Sequence, residues 1–318
     1  MALRRNTPPR PRDPLAHSQA AALGERLAAL RQRHTPTRAR SIAVASGVDG
    51  VGRATLVLNL AVALQNAGQR VLVVEAATDA LGSRALLADP ERPTLATILD
   101  GRVSALDAAG EAAFGVRLLS AAPGLDRLAA LSPWQRDRLC EGFADLDAQA
   151  DLALVDAPPE TPDGHRGVIG ATDELLVVAA PTPDATAGAY AVVKLAAARN
   201  PRTVARLVVN RAASRTQAAH TARTIGDAAR RFLAIGVDYL GFVPEDPCVP
   251  LAGRRATPFV LADPASQAAR CLGAIAARVR RPAVRATHTP LDQCMRQLSA
   301  FAAMQTPEPT LTDGAAPR

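Results

Sequence analysis

Residues 46–55 read SGVDGVGRAT, and they lie between a short apolar run and a long helix-length one. A glycine-rich turn that leaves a strand and opens a helix gathers backbone N–H groups at the positive end of the helix dipole, which makes a seat for phosphate. The spacing Gly47-x-x-x-x-Gly52 matches the phosphate-loop pattern GxxxxGK[ST] at both glycines. The two chemical positions differ. Arg53 stands where lysine would reach the phosphates, and Ala54 stands where a hydroxyl would hold Mg²⁺. Arginine keeps the charge on a planar, bulkier fork that does not replace an ammonium. Alanine removes a metal ligand outright. Thr55 restores a hydroxyl one residue late, and a helix turns it about 100° away. Asp49 brings a carboxylate to the rim, where it repels a triphosphate or fills the anion seat itself; alternatively it is a turn residue facing water. An ordinary glycine-rich turn is the other reading of the whole loop.

The elements that must position this loop are legible as continuous apolar runs: SIAVAS, RVLVVEA, VRLLSA, LALVDA, ELLVVAA, RLVVN and VDYLGFV. Such runs mark parallel strands covered on both faces. Helix-length segments lie between most of them, among them ATLVLNLAVALQNAG, DATAGAYAVVKLAAAR and PASQAARCLGAIAARV. The expected fold is α/β, a doubly wound and mostly parallel sheet with short helical extensions at both ends. Four regions are expected: a basic, disordered tail over 1–15, a helix and linker over 16–40, the α/β domain over 41–282, and a linker, amphipathic helix and tail over 283–318.

Of the 318 residues, 48% are hydrophobic and 3% aromatic, so the core is built from Ala, Val, Leu and Ile. A formal net charge of +7 suits an acidic partner, nucleic acid or anionic lipid. Lys194 is the sole lysine, however, so the arginine excess is a compositional habit and each single arginine is a poor signal. The cysteines Cys140, Cys248, Cys271 and Cys294 form no CxxC pair and read as small buried hydrophobes. The basic N-terminus has no apolar run behind it, so no signal peptide is expected. No run reaches the ~20 apolar residues of a membrane span. The expectation is a cytoplasmic protein.

The text SGVDGVGRATLVLNLAVALQNAGQRVLVVEA resembles the MinD/ParA family, which usually reads SGKGGVGKT followed by LDAD. The resemblance continues through PTLATILDG, DLALVDAPPE, LLVVAAPTPDATAGAYAVVKLA, LVVNRAAS and LGFVPEDPCV, about residues 40–280. Within the family it is most similar to the flagellar-number-regulating branch, the FlhG/FleN type, through PTLATILDG and LSPWQRDRL. The resemblance implies ATP or ADP with Mg²⁺ at Gly47, Asp49, Gly50, Val51, Gly52, Arg53, Ala54 and Thr55. The family's signature lysine falls on Val48, the first aspartate of LDAD on Glu75, and the water-orienting aspartate on Ala77. Asp156 is the surviving Walker B aspartate and the residual metal ligand, while the switch glycine is Glu160. Asn210, Arg211, Pro244 and Asp246 match the family's adenine-binding positions, or else they serve as plain turn residues. Charge-assisted contacts stabilise by ~1.5–3 kcal/mol each. Losing two or three of them weakens phosphate binding ~10²-fold or more, so the resemblance implies a weak or inactive ATPase.

The ends extend the reading. SQAAALG (18–24) matches Gln19, Ala20 and Leu23 of the family's DQAxxLR helix, which implies an FlhF-type signal-recognition-particle GTPase as partner. Docking of that helix on the domain is the alternative. Leu291, Cys294, Met295, Leu298, Phe301 and Ala302 share a helix face, for which the family implies a membrane surface at residues 290–305 on ATP-gated dimerisation. Arg296 is the only cation near it, which favours packing on the domain or a protein partner at least as much. Arginine doublets at 230–231, 254–255 and 280–281, with Arg285, form a DNA-facing patch or simply solvated helix faces; nucleic acid is the lesser expectation. The leading expectation is thus a partner-binding regulator, with a slow ATPase that dimerises and meets the inner face of the membrane or cell pole, or a non-specific DNA-binding partition protein, as alternatives.

Overall fold

The computed structural model describes residues 39–77, 92–157, 167–172, 174–282 and 289–305. Seven strands make one sheet: β1 (Arg40–Ala45), β2 (Val71–Glu75), β3 (Arg117–Ser120), β4 (Leu152–Asp156), β5 (Glu174–Ala179), β6 (Val204–Ala212) and β7 (Val237–Pro244). Their order is β3-β2-β4-β1-β5-β6-β7, and every pairing is parallel. Each of the seven apolar runs is a strand. They run unbroken because alternate residues enter different cores: Ala43 and Ala45 of β1 face one way, Ile42 and Val44 the other.

Helices cover both faces. On one side lie α1 (Arg53–Asn66), α7 (Cys248–Arg254), α8 (Phe259–Ala262) and α9 (Gln267–Val279), packed through residues such as Leu60, Phe259 and Leu272. The other side carries α2 (Leu95–Leu99), α3 (Ala105–Ala108), α4 (Pro133–Asp147), α5 (Pro183–Arg199), α6 (Arg215–Leu233) and α10 (Leu291–Gln305). Several starts are capped as the sequence dictates. Ser132 and Gln135 form a reciprocal capping box ahead of α4, with Pro133 at its first position. Ser214 and Ser266 accept N–H groups at the starts of α6 and α9.

The C-terminal helix belongs to the same compact unit as the sheet, within residues 38–318. Leu291, Cys294, Met295 and Leu298 of α10 are buried against Val74, Phe143 and Val155, around a cavity of about 30 Å³. Asp147, at the end of α4, accepts the Leu291 N–H at 3.0 Å and so caps α10. Ser41 Oγ donates to the Thr289 carbonyl at 2.6 Å, tying the approach to β1. Leu291, Cys294, Met295 and Leu298 of that face therefore pack on the domain, which is one of the alternatives the sequence offers beside lipid and a protein partner.

At the opposite edge from the glycine-rich loop, Glu174 is buried between Arg40 (3.1 Å) and Arg206 (3.2 Å). Arg206 also donates to the Arg281 carbonyl at 3.0 Å, and Arg40 to the Val279 carbonyl, so the pair closes the C-terminus of α9.

Candidate functional site

The order of strands changes direction around β1, and the crevice at the C-terminal ends of such strands is where α/β sheets hold ligands. The loop 46–52 leaves β1 there and α1 begins at Arg53. Gly50 (φ 74°) and Gly52 (φ 86°) occupy left-handed backbone that glycine alone adopts without strain. Gly47 has a different reason to be glycine. A Cβ placed on it would lie 2.1 Å from the backbone of Gly188 in α5, so the loop and that helix cross at bare backbone.

Across the sheet edge, Ser120, Glu75 and Asp156 stand in register on β3, β2 and β4, and Asp156 is also paired with Val44. In a parallel sheet such residues share a face, here the face covered by α1. Arg53, the first residue of α1, reaches into it. Its Nε donates to Asp156 Oδ1 at 2.6 Å and its Nη1 to Ser46 Oγ at 3.4 Å. Both partners are buried, with side chains 3% and 8% exposed. A guanidinium therefore sits on the carboxylate that the sequence offers to a metal. Ala54 and Thr55 follow, half-buried, and Ala54 brings no oxygen.

The far side of the loop is held by the two residues that sequence assigns to the base. Asn210 Nδ2 donates to the Val51 carbonyl at 2.7 Å, and Arg211 Nη1 to the Gly50 carbonyl at 3.1 Å. They reach it because β6 carries a bulge between Asn210 and Ala212, with Arg211 at φ 57°. A Cβ on Gly52 would lie 2.5 Å from Asn210 Nδ2, so that glycine also makes room for the amide. Thr55, Asn210 and Val243 line a cavity of about 20 Å³ with Phe259 and Leu272.

The remaining residues named from sequence fall as follows. Asp49 is exposed, on the water side of its two readings. Val48 packs on the core cluster beside α1. Ala77 is buried beyond β2, and Glu75 is buried with Ser120 Oγ 3.4 Å from its carboxylate. Pro244 closes β7 and is buried. Asp246 accepts the Cys248 N–H (3.0 Å) and the Ala268 N–H (3.1 Å), binding the starts of α7 and α9 together. Those backbone donors hold its carboxyl below the usual range, against the opposing effect of its partial desolvation. Glu160, Gln19, Ala20, Leu23 and Arg285 lie outside the described residues. Ser46 and Gly188 were not singled out from sequence. An isolated glycine inside the helical pattern of TAGAY was the one available signal for Gly188.

Among the described residues no three His, Cys, Asp or Glu cluster as a metal site, and no helix is long and apolar enough to cross a membrane. Residues 42–259 match the model of the CobQ/CobB/MinD/ParA nucleotide binding domain. The chain belongs to that family. Within it, the chain is 30% identical over 238 residues to the antiactivator FleN of Pseudomonas aeruginosa, a match covering 75% of this chain and 85% of that one. It is 27% identical to the septum site-determining protein MinD of Bacillus subtilis, covering 75% and 88%. Among solved structures, MinD in the MinC:MinD cell division complex of Aquifex aeolicus superposes with a TM-score of 0.62 at 22% identity, over 78% of this chain and 99% of that one. MinD of Pyrococcus horikoshii complexed with Mg-ADP gives 0.58 at 24%, over 76% and 96%. These likenesses show a MinD/ParA fold.

Proposed function

We propose that this MinD/ParA-family protein is a regulator of flagellar number or placement that acts by binding partners, with a nucleotide loop too altered for useful ATP turnover. The observation that carries the reading is the buried Arg53–Asp156 pair at 2.6 Å. Mg²⁺ demands several oxygen ligands in octahedral array. Asp156 offers a carboxylate already bonded to a cation, and Ala54 offers nothing, so this donor set does not suit the metal. Nucleotide binding with Mg²⁺ must first break an ion pair sealed from water, and breaking such a pair is costly. The flagellar assignment rests on the similarity to FleN and on the sequence phrases shared with that branch. An FlhF-type GTPase is the partner proposed for Gln19, Ala20 and Leu23, and GTP hydrolysis by that partner unchanged by Gln19→Ala would remove it.

The test is calorimetric titration of the protein with ATP and Mg²⁺ beside Arg53→Lys/Ala54→Thr. The expected result is no heat for the natural chain at sub-millimolar nucleotide and measurable binding for the variant. Micromolar binding by the natural chain would overturn the proposal and make ATP-gated dimerisation the leading mechanism.

A further inference from the structure

Away from the loop, an open groove of about 1,050 Å³ runs between the α2–α3 connection and α4. Ile98, Leu99, Val103 and Leu139 supply its apolar lining. Trp134, the only tryptophan of the chain, stands at its edge 66% exposed. Arg138 lies over the ring at 5.3 Å to the centroid, one helical turn along α4. The same stripe of α4 continues as Glu141 and Asp145. Across from it, Asp107 of α3 completes a set of three carboxylates lining the groove. Glu141 and Asp145 make no ion pair among the described residues. Asp107 is bonded to Ser104 Oγ at 2.6 Å, a neutral partner. The other acid of the groove, Asp100, is already paired with Arg127 at 2.8 Å and with Arg102 at 3.7 Å.

We infer that this groove docks a basic amphipathic helix of a partner protein, with Trp134 as its anchor. An exposed tryptophan beside an apolar trough has the composition of an interface hot spot. The trough lies between α4 and the α2–α3 connection, and a helix about 10–12 Å across presents an apolar stripe to such a groove. The sign of the charge selects the occupant. The chain as a whole carries +7, yet four carboxylates line this groove against two arginines, Arg102 and Arg138. Among the described residues Asp107, Glu141 and Asp145 have no paired cation. Anionic lipid and nucleic acid are repelled there, while Lys or Arg beside an apolar stripe is attracted. Nothing in this inference depends on the nucleotide loop.

Trp134 is itself the reporter, because the chain has no other tryptophan. The full-length protein is titrated with a helix-forming, tryptophan-free peptide of ~18 residues, built from alanine with a leucine stripe at helical spacing and flanking arginines. Its counterpart carries glutamate for every arginine. The expected result is a saturable blue shift of Trp134 emission with the arginine peptide and none with the glutamate peptide. Anisotropy of the labelled arginine peptide should show affinity about tenfold weaker for Glu141→Arg/Asp145→Arg and at least about thirtyfold weaker for Trp134→Ala. These residues are exposed, so the fold survives both variants. Equal binding of both peptides, or no shift up to ~1 mM, would overturn the proposal. So would a Trp134 shift that follows protein concentration alone, with a sedimenting dimer lost in Trp134→Ala, because the occupant would then be a second copy of this chain.

Discussion

Substituting Asp156→Asn tests the central geometry without any ligand. The amide keeps the shape of the side chain and an acceptor for Arg53 but removes the charge. Arg53 is 4% exposed and Asp156 6%. The guanidinium also donates to Ser46 Oγ, at a long 3.4 Å. Removing one charge of a buried pair costs about 3–5 kcal/mol. For a unit of this size each kcal/mol lowers Tm by about 2–4 °C, so a fall of roughly 6–20 °C is expected. Arg53→Met should cost about as much. The double variant Arg53→Met/Asp156→Leu should recover most of the loss, because replacing a buried pair by apolar groups is often neutral or better. Thermal and urea unfolding of the natural protein, Asp156→Leu, Arg53→Met and the double variant close the cycle, with the coupling read as the departure from additivity. A carboxylate kept vacant for a metal behaves in the opposite way, since neutralising an unpaired buried charge relieves strain. Stability of Asp156→Asn equal to or above that of the natural protein would therefore refute the pairing, and with it the argument against Mg²⁺.

Gly47→Ala should destabilise more than Gly188→Ala, since the added Cβ meets backbone at 2.1 Å in the first case and 3.0 Å in the second; overpacking costs about 1–3 kcal/mol or more, and equal Tm values would refute the close crossing. Asp246→Asn should lose about 0.5–2 kcal/mol of capping at neutral pH. Because the folded carboxyl lies below its ordinary value, its stabilisation is fully present above about pH 4 and fades as pH falls through the folded value. The variant should therefore show a flatter acid limb in urea unfolding, and parallel limbs would refute the linkage. Met295→Ala and Leu298→Ala should each cost about 2–5 kcal/mol as core deletions, and the natural protein should not sediment with anionic vesicles; variants unfolding like the parent would place that face outside the core.

The seven strands were legible because burial on both faces leaves an unbroken apolar run, a signal that needs no knowledge of what covers each face. The loop was legible for a similar reason: positive φ at Gly50 and Gly52 is a local demand that sequence must meet locally. What sequence could not convey is direction across long separations. Arg53 reads as a misfitting phosphate ligand until Asp156, 103 residues on, is seen to hold it. Gly47 reads as a glycine for a ligand, whereas the object that approaches it is Gly188. Asp246 reads equally as a base contact or a turn, and its two N–H partners include Ala268, 22 residues away. In each case the residue type was informative and its partner was not.

The C-terminal helix shows how such partners reshape the reading of the whole chain. Parallel strands are joined by crossovers that usually bring their own helix to the sheet. Between β4 and β5 the described residues contain one three-residue turn, Ile169–Ala171, too short to cover two strands. The helix α10, from more than a hundred residues later, packs on α4, on that turn and on β1. Its apolar face meets Val74 and Val155, the residues just before Glu75 and Asp156. The helix α10 thus backs the strands that deliver the buried carboxylates to the loop. Lifting it out would expose the core beneath both, so lipid could gain α10 only at the expense of the sheet edge on which the site is built. With α10 packed on the core, the groove around Trp134 is an apolar surface among the described residues that nothing in the fold covers.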